Sequence, residues 1–469
     1  MRKSYRWLSF LTIVFTAFLN TLLVAQSPDV QRHVVVISID GFAAFLVDDP
    51  KVPLPNIRRL AREGCIIEGG MTVSDPSVTW PNHTTLVTGM KPGRHGVLAN
   101  GVLVRGGIGT PVKIDSHRDQ SDLVKVPTVA DVAHSAGLRT AEVNWPCTRN
   151  SKSFDDQFPD VPNALDYTTP RLRKELIEKG LLRDEKHSSF RNASVVGLDY
   201  VWTEAACHLI RTRKPHLTLV HLLNNDSAHH KRGAQSQAGY TANAYADMCV
   251  SRIVEAIDDA GIRDRTTIIL VADHGFALTP KAIRPNVLLR QAKLLEVVEG
   301  KLTQARIHVI PEGGIGFVYC TNPAKASQDA FEFRKMLIGQ EGVADVLLPD
   351  RFGEVGFPHP REYNQTPDAI LVAKEGYAVS GAVTGETLVA TFEEARTSYG
   401  SHGLLAKISK MKAMCILSGA GVRSGIKLPE VNNTVVAPTI AKLLGLKYPN
   451  ADGKPLLDAL QTSANGSER

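Results

Sequence analysis

Apolar positions along this chain fall into short solid runs separated by longer stretches in which they recur every three or four residues. The runs "HVVVISID" (33–40), "RTAEVNW" (139–145), "HLTLVHLL" (216–223) and "TTIILVAD" (266–273) are too short for helices and rich in branched residues, so they are predicted as buried strands. "CIIEGGM" (65–71) adds a shorter one. Between them the helical period is clear near 55–62, over "TVADVAHSAG" (128–137), over "VVGLDYVWTEAACHLIRTR" (195–213) and over "YTANAYADMCVSRIVEAIDDAG" (240–261). Strands that are apolar on both faces, alternating with amphipathic helices, predict an α/β fold whose central sheet is mainly parallel and carries helices on both faces.

From Phe276 to about Gly400 this rhythm loosens into a mixed, Pro- and Gly-richer segment that includes "GIGFVYC", "ASQDAFEFRKMLIG" and "DAILVAKEG". The core pattern resumes at "AMCILSG" and closes with the helix "NTVVAPTIAKLLGL". The expected organisation is a core over 30–275 and 401–460 with a smaller subdomain, 276–400, inserted in it. The N-terminus has its own pattern: basic through Arg6, then nearly unbroken apolar sequence from Trp7 to Ala25. Residues 1–25 are expected to be an export signal or an uncleaved anchor, and the rest of the chain periplasmic or secreted.

Composition narrows the function classes. The formal charge of +6 over 469 residues falls to +3 without Arg2, Lys3 and Arg6, which is no nucleic-acid footprint. Beyond the possible N-terminal anchor no membrane span is expected. The six cysteines form no metal-type spacing and several lie in apolar runs, so most are expected to be buried free thiols, although an exported chain permits disulfides.

Candidate chemistry gathers at the ends of the predicted strands. Three buried-strand patterns end in an aspartate: Asp40, Asp226 and Asp273. Ligands of open parallel sheets bind beyond the carboxyl ends of strands, and carboxylates converging there repel unless a cation joins them. Histidines accompany these acids. His230 follows Asp226 by four residues, one face of a helical turn. His274 follows Asp273 directly, with Gly275 expected to free the backbone to turn both side chains inward, and "GSHG" supplies His402. Mixed Asp/His sets suit zinc, with manganese or iron as alternatives, and this many ligands would serve two ions.

One polar stretch, "SVTWPNHTTLVTG" (77–89), remains to be placed. Pro81 suits the first turn of a helix running to about Val87, with Trp80 non-helical before it and Thr79 at the helix mouth, where it is either a cap or a group presented to an anion.

The pieces "VVVISIDGF", "TWPNHTTLVTGMKPGRHGVLAN", "VNWPC", "DSAHHKRG", "ADHGF", "GSHG" and "IAKLLGLKYPNADGKPL" together resemble the type I phosphodiesterase/nucleotide pyrophosphatase family of the alkaline phosphatase superfamily, in that family's order. The resemblance implies an alkaline phosphatase-like fold and a hydrolase that cleaves phosphodiester or pyrophosphate bonds of small molecules through a phosphothreonine on Thr79. It implies one zinc on Asp226, His230 and His402, and a second on Asp40, Asp273, His274 and the Thr79 oxygen. It implies a phosphoryl-oxygen contact from Asn100, and makes Asn82 and His83 structural residues behind the nucleophile. His229 has no counterpart in the pattern.

Three departures accompany this. Cys147 stands where the family usually has glycine after Trp-Pro, Asn224-Asn225 precede Asp226 in place of Glu-Pro, and the 276–400 segment does not align. Two zinc ions against three carboxylates and a threonine alkoxide leave a neutral ligand set, which suits a singly charged diester. A phosphomonoesterase of the same superfamily is the alternative, since Arg149 and Lys152 in "WPCTRNSK" could serve a second phosphoryl charge. A sulfatase is disfavoured because Thr79-Trp80-Pro81-Asn82 lacks the Cys-x-Pro-x-Arg context. A non-catalytic envelope binding protein that keeps the fold and its metals is the more distant possibility.

Overall fold

The computed structural model describes residues 31–160, 163–183, 190, 193–448 and 450–461. The N-terminal signal or anchor expected over residues 1–25 lies outside the described residues. In chain order the elements that matter here are β1 (His33–Ile39), α1 (Pro55–Glu63), β2 (Cys65–Ile67), α2 (Thr79–Thr88), α3 (Val129–Ser135), β3 (Thr140–Pro146), β4 (Asp156–Asp160), α4 (Val195–Arg213), β5 (Leu217–Leu222), α5 (Asn224–Arg232), α6 (Gln237–Asp259), β6 (Thr266–Val271), β7 (Ile307–Glu312), β8 (Ile315–Cys320), α7 (Ala326–Leu337), β9 (Val343–Leu347), β10 (Ala369–Ala373), β11 (Cys415–Gly419), β12 (Ile426–Leu428) and α8 (Val436–Leu443).

Eight strands form the large sheet in the order β12-β2-β11-β6-β1-β5-β3-β4. The pairs β4/β3, β3/β5, β5/β1 and β1/β6 are all parallel, whereas β11 runs antiparallel to both β6 and β2. Strands β1, β5 and β6 are buried at every position, as a sheet covered on both faces requires. Helix starts carry local reasons: Ser194 accepts the Gly197 N–H at the start of α4, and Thr128 and Asp131 close a reciprocal capping box on α3. Among the described residues no helix is long and apolar enough to cross a membrane.

A second, four-stranded antiparallel sheet has the order β7-β8-β10-β9. One of its faces joins α7 in a separate hydrophobic cluster, with Phe333, Val346 and Leu371 among its members. The other packs Ile315, Phe317 and Tyr319 against Leu98, Ala99 and Leu103, the stretch that leads into and out of Asn100. All six cysteines are buried free thiols.

Candidate active site

The strand order explains why residues nearly two hundred positions apart meet. β1 lies between β5 and β6, and its register sets Ile39 against Leu222 and Ser38 against Val271, so the segments leaving the three carboxyl ends emerge side by side. Asp40 and Asp273 follow within two residues of their strands and are fully buried. Asp226 is different from expectation. The strand stops at Leu222, and Asp226 belongs to the first turn of α5, because the Asp199 carboxylate accepts the Leu223 and Asn224 N–H groups at 2.8 and 3.0 Å and starts a helix there. That helix carries His230 on the face of Asp226, as the i,i+4 spacing predicted, with Nε2 3.3 Å from Asp226 Oδ1.

Two groups of three result. Asp226, His230 and His402 form one, Asp40, Asp273 and His274 the other, and within each group one ligand-type atom per residue lies within 4.8 Å of the others. His274 and His402 stack with ring centroids 3.8 Å apart, which sets the groups side by side. The first is partly open to solvent and the second closed: the Asp226 and His230 side chains keep 13% and 27% of their surface exposed, His274 none.

Each histidine is oriented by its other nitrogen. Nδ1 of His230 lies 2.9 Å from the Gly400 carbonyl oxygen, Nδ1 of His402 2.9 Å from that of Ser77, and Nδ1 of His274 3.1 Å from that of Gly275. Donation from Nδ1 leaves Nε2 with its lone pair toward the carboxylates, the arrangement that metal-binding imidazoles use. Burial pushes the His274 imidazole down to about 3 and, with the neighbouring His274 and His230 rings, holds His402 well below its usual range, so both are neutral imidazoles, the form a metal would need. Phe276 packs against His230 and His402 at 4.9 and 5.7 Å and forms an apolar wall behind them.

The polar atoms left over test whether this site suits cations. Asp40 Oδ1, Asp226 Oδ1, Asp273 Oδ2 and His274 Nε2 are buried without a hydrogen-bond partner. Burial, then the Asp273 and Asp226 carboxylates, pushes the Asp40 carboxyl well above the carboxylate range. Four orphaned ligand-type atoms converging in a protein interior are costly unless a metal satisfies them. The residues therefore fit a pair of divalent cations.

Thr79 is the first residue of α2, with Val78 as its extended N-cap. Sequence reasoning began the helix at Pro81 and left Trp80 outside it; both Thr79 and Trp80 are helical, and Pro81 sits in the first turn, where a missing N–H costs nothing. Asn100 is exposed beside them, its Oδ1 accepting the Trp80 backbone N–H at 2.8 Å, which leaves the amide NH2 to donate elsewhere. Asn82 ties the preceding loop, accepting from the Ser74 N–H and donating to the Pro76 and Val78 carbonyls. His83 lies buried beneath, with Nδ1 2.9 Å from the Thr79 carbonyl and 3.5 Å from Asp273 Oδ2.

Two glycines are required by contact. Gly41 turns at φ +66° just after Asp40, and its N–H donates to Asp273 Oδ1 at 3.1 Å. Gly275 lies outside the left-handed region and is required by space: a Cβ there would lie 2.0 Å from the Lys410 carbonyl oxygen.

Sequence reasoning missed His221. From inside β5 its Nε2 meets Asp40 Oδ2 at 2.9 Å and its Nδ1 meets the Asn144 carbonyl at 2.9 Å, fixing the aspartate so that Oδ1 is the free oxygen. The available signal was a lone polar residue inside "LTLVHLL". Arg149, weighed for a second phosphoryl charge, is engaged elsewhere: its Nε donates to Asp119 at 2.6 Å and its guanidinium lies over the Tyr167 ring. Lys152 is exposed. His229 is buried, its ring edge-on to Phe276.

A mainly parallel α/β sheet with paired Asp/His clusters and a threonine at a helix start beside its strand ends defines the class of protein. Residues 34–405 match the model of the type I phosphodiesterase/nucleotide pyrophosphatase family, and the chain belongs to that family. It is 23% identical over 425 residues to ectonucleotide pyrophosphatase/phosphodiesterase family member 1 of Mus musculus, a match that covers 88% of this chain and 40% of that protein. The chain therefore spans well under half of that relative. Family member 7 of Homo sapiens is 23% identical over 477 residues, covering 96% of this chain and 90% of the relative. The solved structure of murine ectonucleotide pyrophosphatase/phosphodiesterase 5, an inactive threonine-to-alanine variant in complex with AMP, superposes with a TM-score of 0.66 at 17% identity, covering 92% of this chain and all of that one. At that identity the likeness concerns the fold.

Proposed function

We propose that the protein is an exported metal-dependent hydrolase that cleaves phosphodiester or pyrophosphate bonds of small molecules, nucleotides or related compounds, with Thr79 as nucleophile. The observation that carries this reading is the stacking of the His274 and His402 rings at 3.8 Å, which makes neighbours of two ligand sets whose leftover atoms call for cations. The AMP complex of an inactive threonine variant in the murine relative and the "ecto" names of the others support the threonine role, the substrate class and export.

In this reading Asp226, His230 and His402 would hold one zinc, and Asp40, Asp273, His274 and the Thr79 oxygen would hold the other. When bound, the metals would supply Lewis acidity that favours the threonine alkoxide and offsets phosphoryl charge. Thr79 Oγ1 forms a bond to phosphorus while the opposite P–O bond breaks, and an alcohol or phosphate leaves. Water then attacks the phosphothreonine, and the Thr79 hydroxyl returns as the product phosphate departs. Position one of α2 directs the helix's positive end at the phosphoryl group, and the Asn100 amide, fixed through the Trp80 N–H, donates to one of its oxygens. His83 and Asn82 brace this turn from behind. The segment 276–400 is read as a subdomain inserted into a core of 30–275 and 401–460, bordering the leaving-group side.

The monoesterase alternative needs a free cation for the extra phosphoryl charge, and the Arg149 pairing with Asp119 weighs against its service. A non-catalytic role would leave Thr79, at the helix start beside the full ligand set, without a purpose. Rates of the purified protein on a nitrophenyl phosphodiester and on nitrophenyl phosphate decide between them: the diester is expected to turn over faster and EDTA to abolish it, whereas faster monoester turnover would overturn the proposal.

A further inference from the structure

A fourth carboxylate stands near the nucleophile and takes no part in either ligand set. Asp160 ends β4, the edge strand parallel to β3, so it emerges at the same end of the sheet as Asp40 and Asp273, level with Pro146. Its Oδ2 accepts the indole N–H of Trp80 at 3.2 Å, and the backbone N–H of the same Trp80 holds Asn100 at 2.8 Å. Trp80 directly follows Thr79. Asp160 is thus fixed to Trp80, the residue that follows the nucleophile and anchors the amide proposed for phosphoryl contact.

Asp160 is half-buried, at the carboxyl end of the strand next to β3, with its carboxylate against the side chain of the residue that follows Thr79. Burial raises its carboxyl above the ordinary carboxylate range, while the His221 ring and the Trp80 indole act the other way; among the described residues no lysine or arginine forms an ion pair with it. Two divalent cations would balance Asp40, Asp226, Asp273 and a Thr79 alkoxide, and an ionised Asp160 would then add one uncompensated negative charge to the phosphoryl surroundings.

Resting on the phosphodiesterase reading, we propose that Asp160 is the specificity-determining residue that restricts the site to phosphoryl groups of single negative charge and drives out doubly charged ones. A phosphodiester carries one charge; a monoester carries nearly two above its second pKa of about 6. Hydrolysis of a diester by water yields an alcohol and a monoester, so the carboxylate that rejects monoesters as substrates also speeds their departure as products. Like-charge repulsion of this kind weakens with ionic strength.

The test uses the full chain with its metals in mildly alkaline buffer. Asp160→Asn keeps an oxygen for the Trp80 indole and removes the charge; Asp160→Glu keeps the charge. Asp160→Asn is expected to raise the ratio of kcat/KM for nitrophenyl phosphate over bis(nitrophenyl) phosphate by about tenfold, the factor that about 1.4 kcal/mol of relieved repulsion gives. It is also expected to tighten inorganic phosphate binding, read by titration calorimetry, by a similar factor at low salt and less at high salt. Asp160→Glu should retain the discrimination. An unchanged ratio and unchanged phosphate affinity in Asp160→Asn, at native metal content, would overturn the proposal. A wild-type protein that binds phosphate but turns over no diester would instead sink the phosphodiesterase reading, and calorimetry would still judge Asp160.

Discussion

The Ser77 carbonyl oxygen accepts two bonds from a segment more than three hundred residues away, from His402 Nδ1 at 2.9 Å and from the Gly403 N–H at 2.9 Å. Ser77 returns one, its hydroxyl donating to the Leu404 carbonyl at 2.6 Å. The loop that leads into Thr79 and the segment that carries His402 therefore move as one unit, which couples nucleophile position to ligand position.

Ser77→Ala leaves a buried carbonyl unpaired and is expected to cost about 1–3 kcal/mol of stability. Affinity of the Asp226/His230/His402 group for a divalent ion should fall with it. Denaturant unfolding and metal titration read the two effects, and an unaltered metal affinity would show that the stitch carries no functional load.

Phe276→Ala removes a ring that is 1% exposed and packs against the histidines of both groups, at an expected cost of about 3–5 kcal/mol. Metal should be held more weakly at both groups, because the apolar wall also keeps water from the imidazoles. Calorimetric unfolding with and without added zinc tests this; loss of stability without loss of zinc-induced stabilisation would confine Phe276 to packing.

Acid sensitivity follows from buried neutral histidines outside the ligand groups. Burial lowers His95 to about 3 and His308 to about 4, and each accepts a backbone N–H, from Val97 and Val112 respectively. Between these values and the unfolded value of 6.5 the unfolded chain binds more protons, so stability is complete above about 6.5 and is lost as the pH falls toward 4. Unfolding free energies measured across that window should decline by up to about 1.4 kcal/mol per pH unit for each histidine. A flat profile would contradict the buried, neutral assignment.

Glu142 acts in the opposite direction. Burial raises its carboxyl to about 8 from an ordinary 4.5, so it enters the fold protonated and costs stability as the pH rises from 4.5 toward 8. Glu142→Gln keeps an acceptor for the Trp145 N–H and is expected to flatten that alkaline decline, making the variant the more stable protein at pH 8.

Much of this was legible in residue order. The long helix α4 occupies the span that periodicity marks, and β1, β5 and β6 end within two residues of their apolar runs, because burial on both faces writes a strong pattern. Pairing across the sheet wrote none: the reversed direction of β11 depends on where its chain re-enters the sheet, which "AMCILSG" does not encode. Local contacts made by distant groups were hidden too. Asp199 starts α5 from another helix and so moves Asp226 off its strand, and the true start of α2 was obscured by a proline tolerated anywhere in a first turn. The ligand residues were visible because their types are unusual at strand ends, whereas His221 and Asp160 act through geometry that only the folded sheet creates.

The central claim is that Thr79 accepts the phosphoryl group. Quenching the protein in acid during steady-state diester turnover and mapping its peptides by mass spectrometry tests that most directly. The account predicts phosphothreonine at Thr79, absent in Thr79→Ala, which should keep its metals and lose turnover. Undiminished diester turnover by Thr79→Ala, or phosphate trapped on another residue, would contradict it.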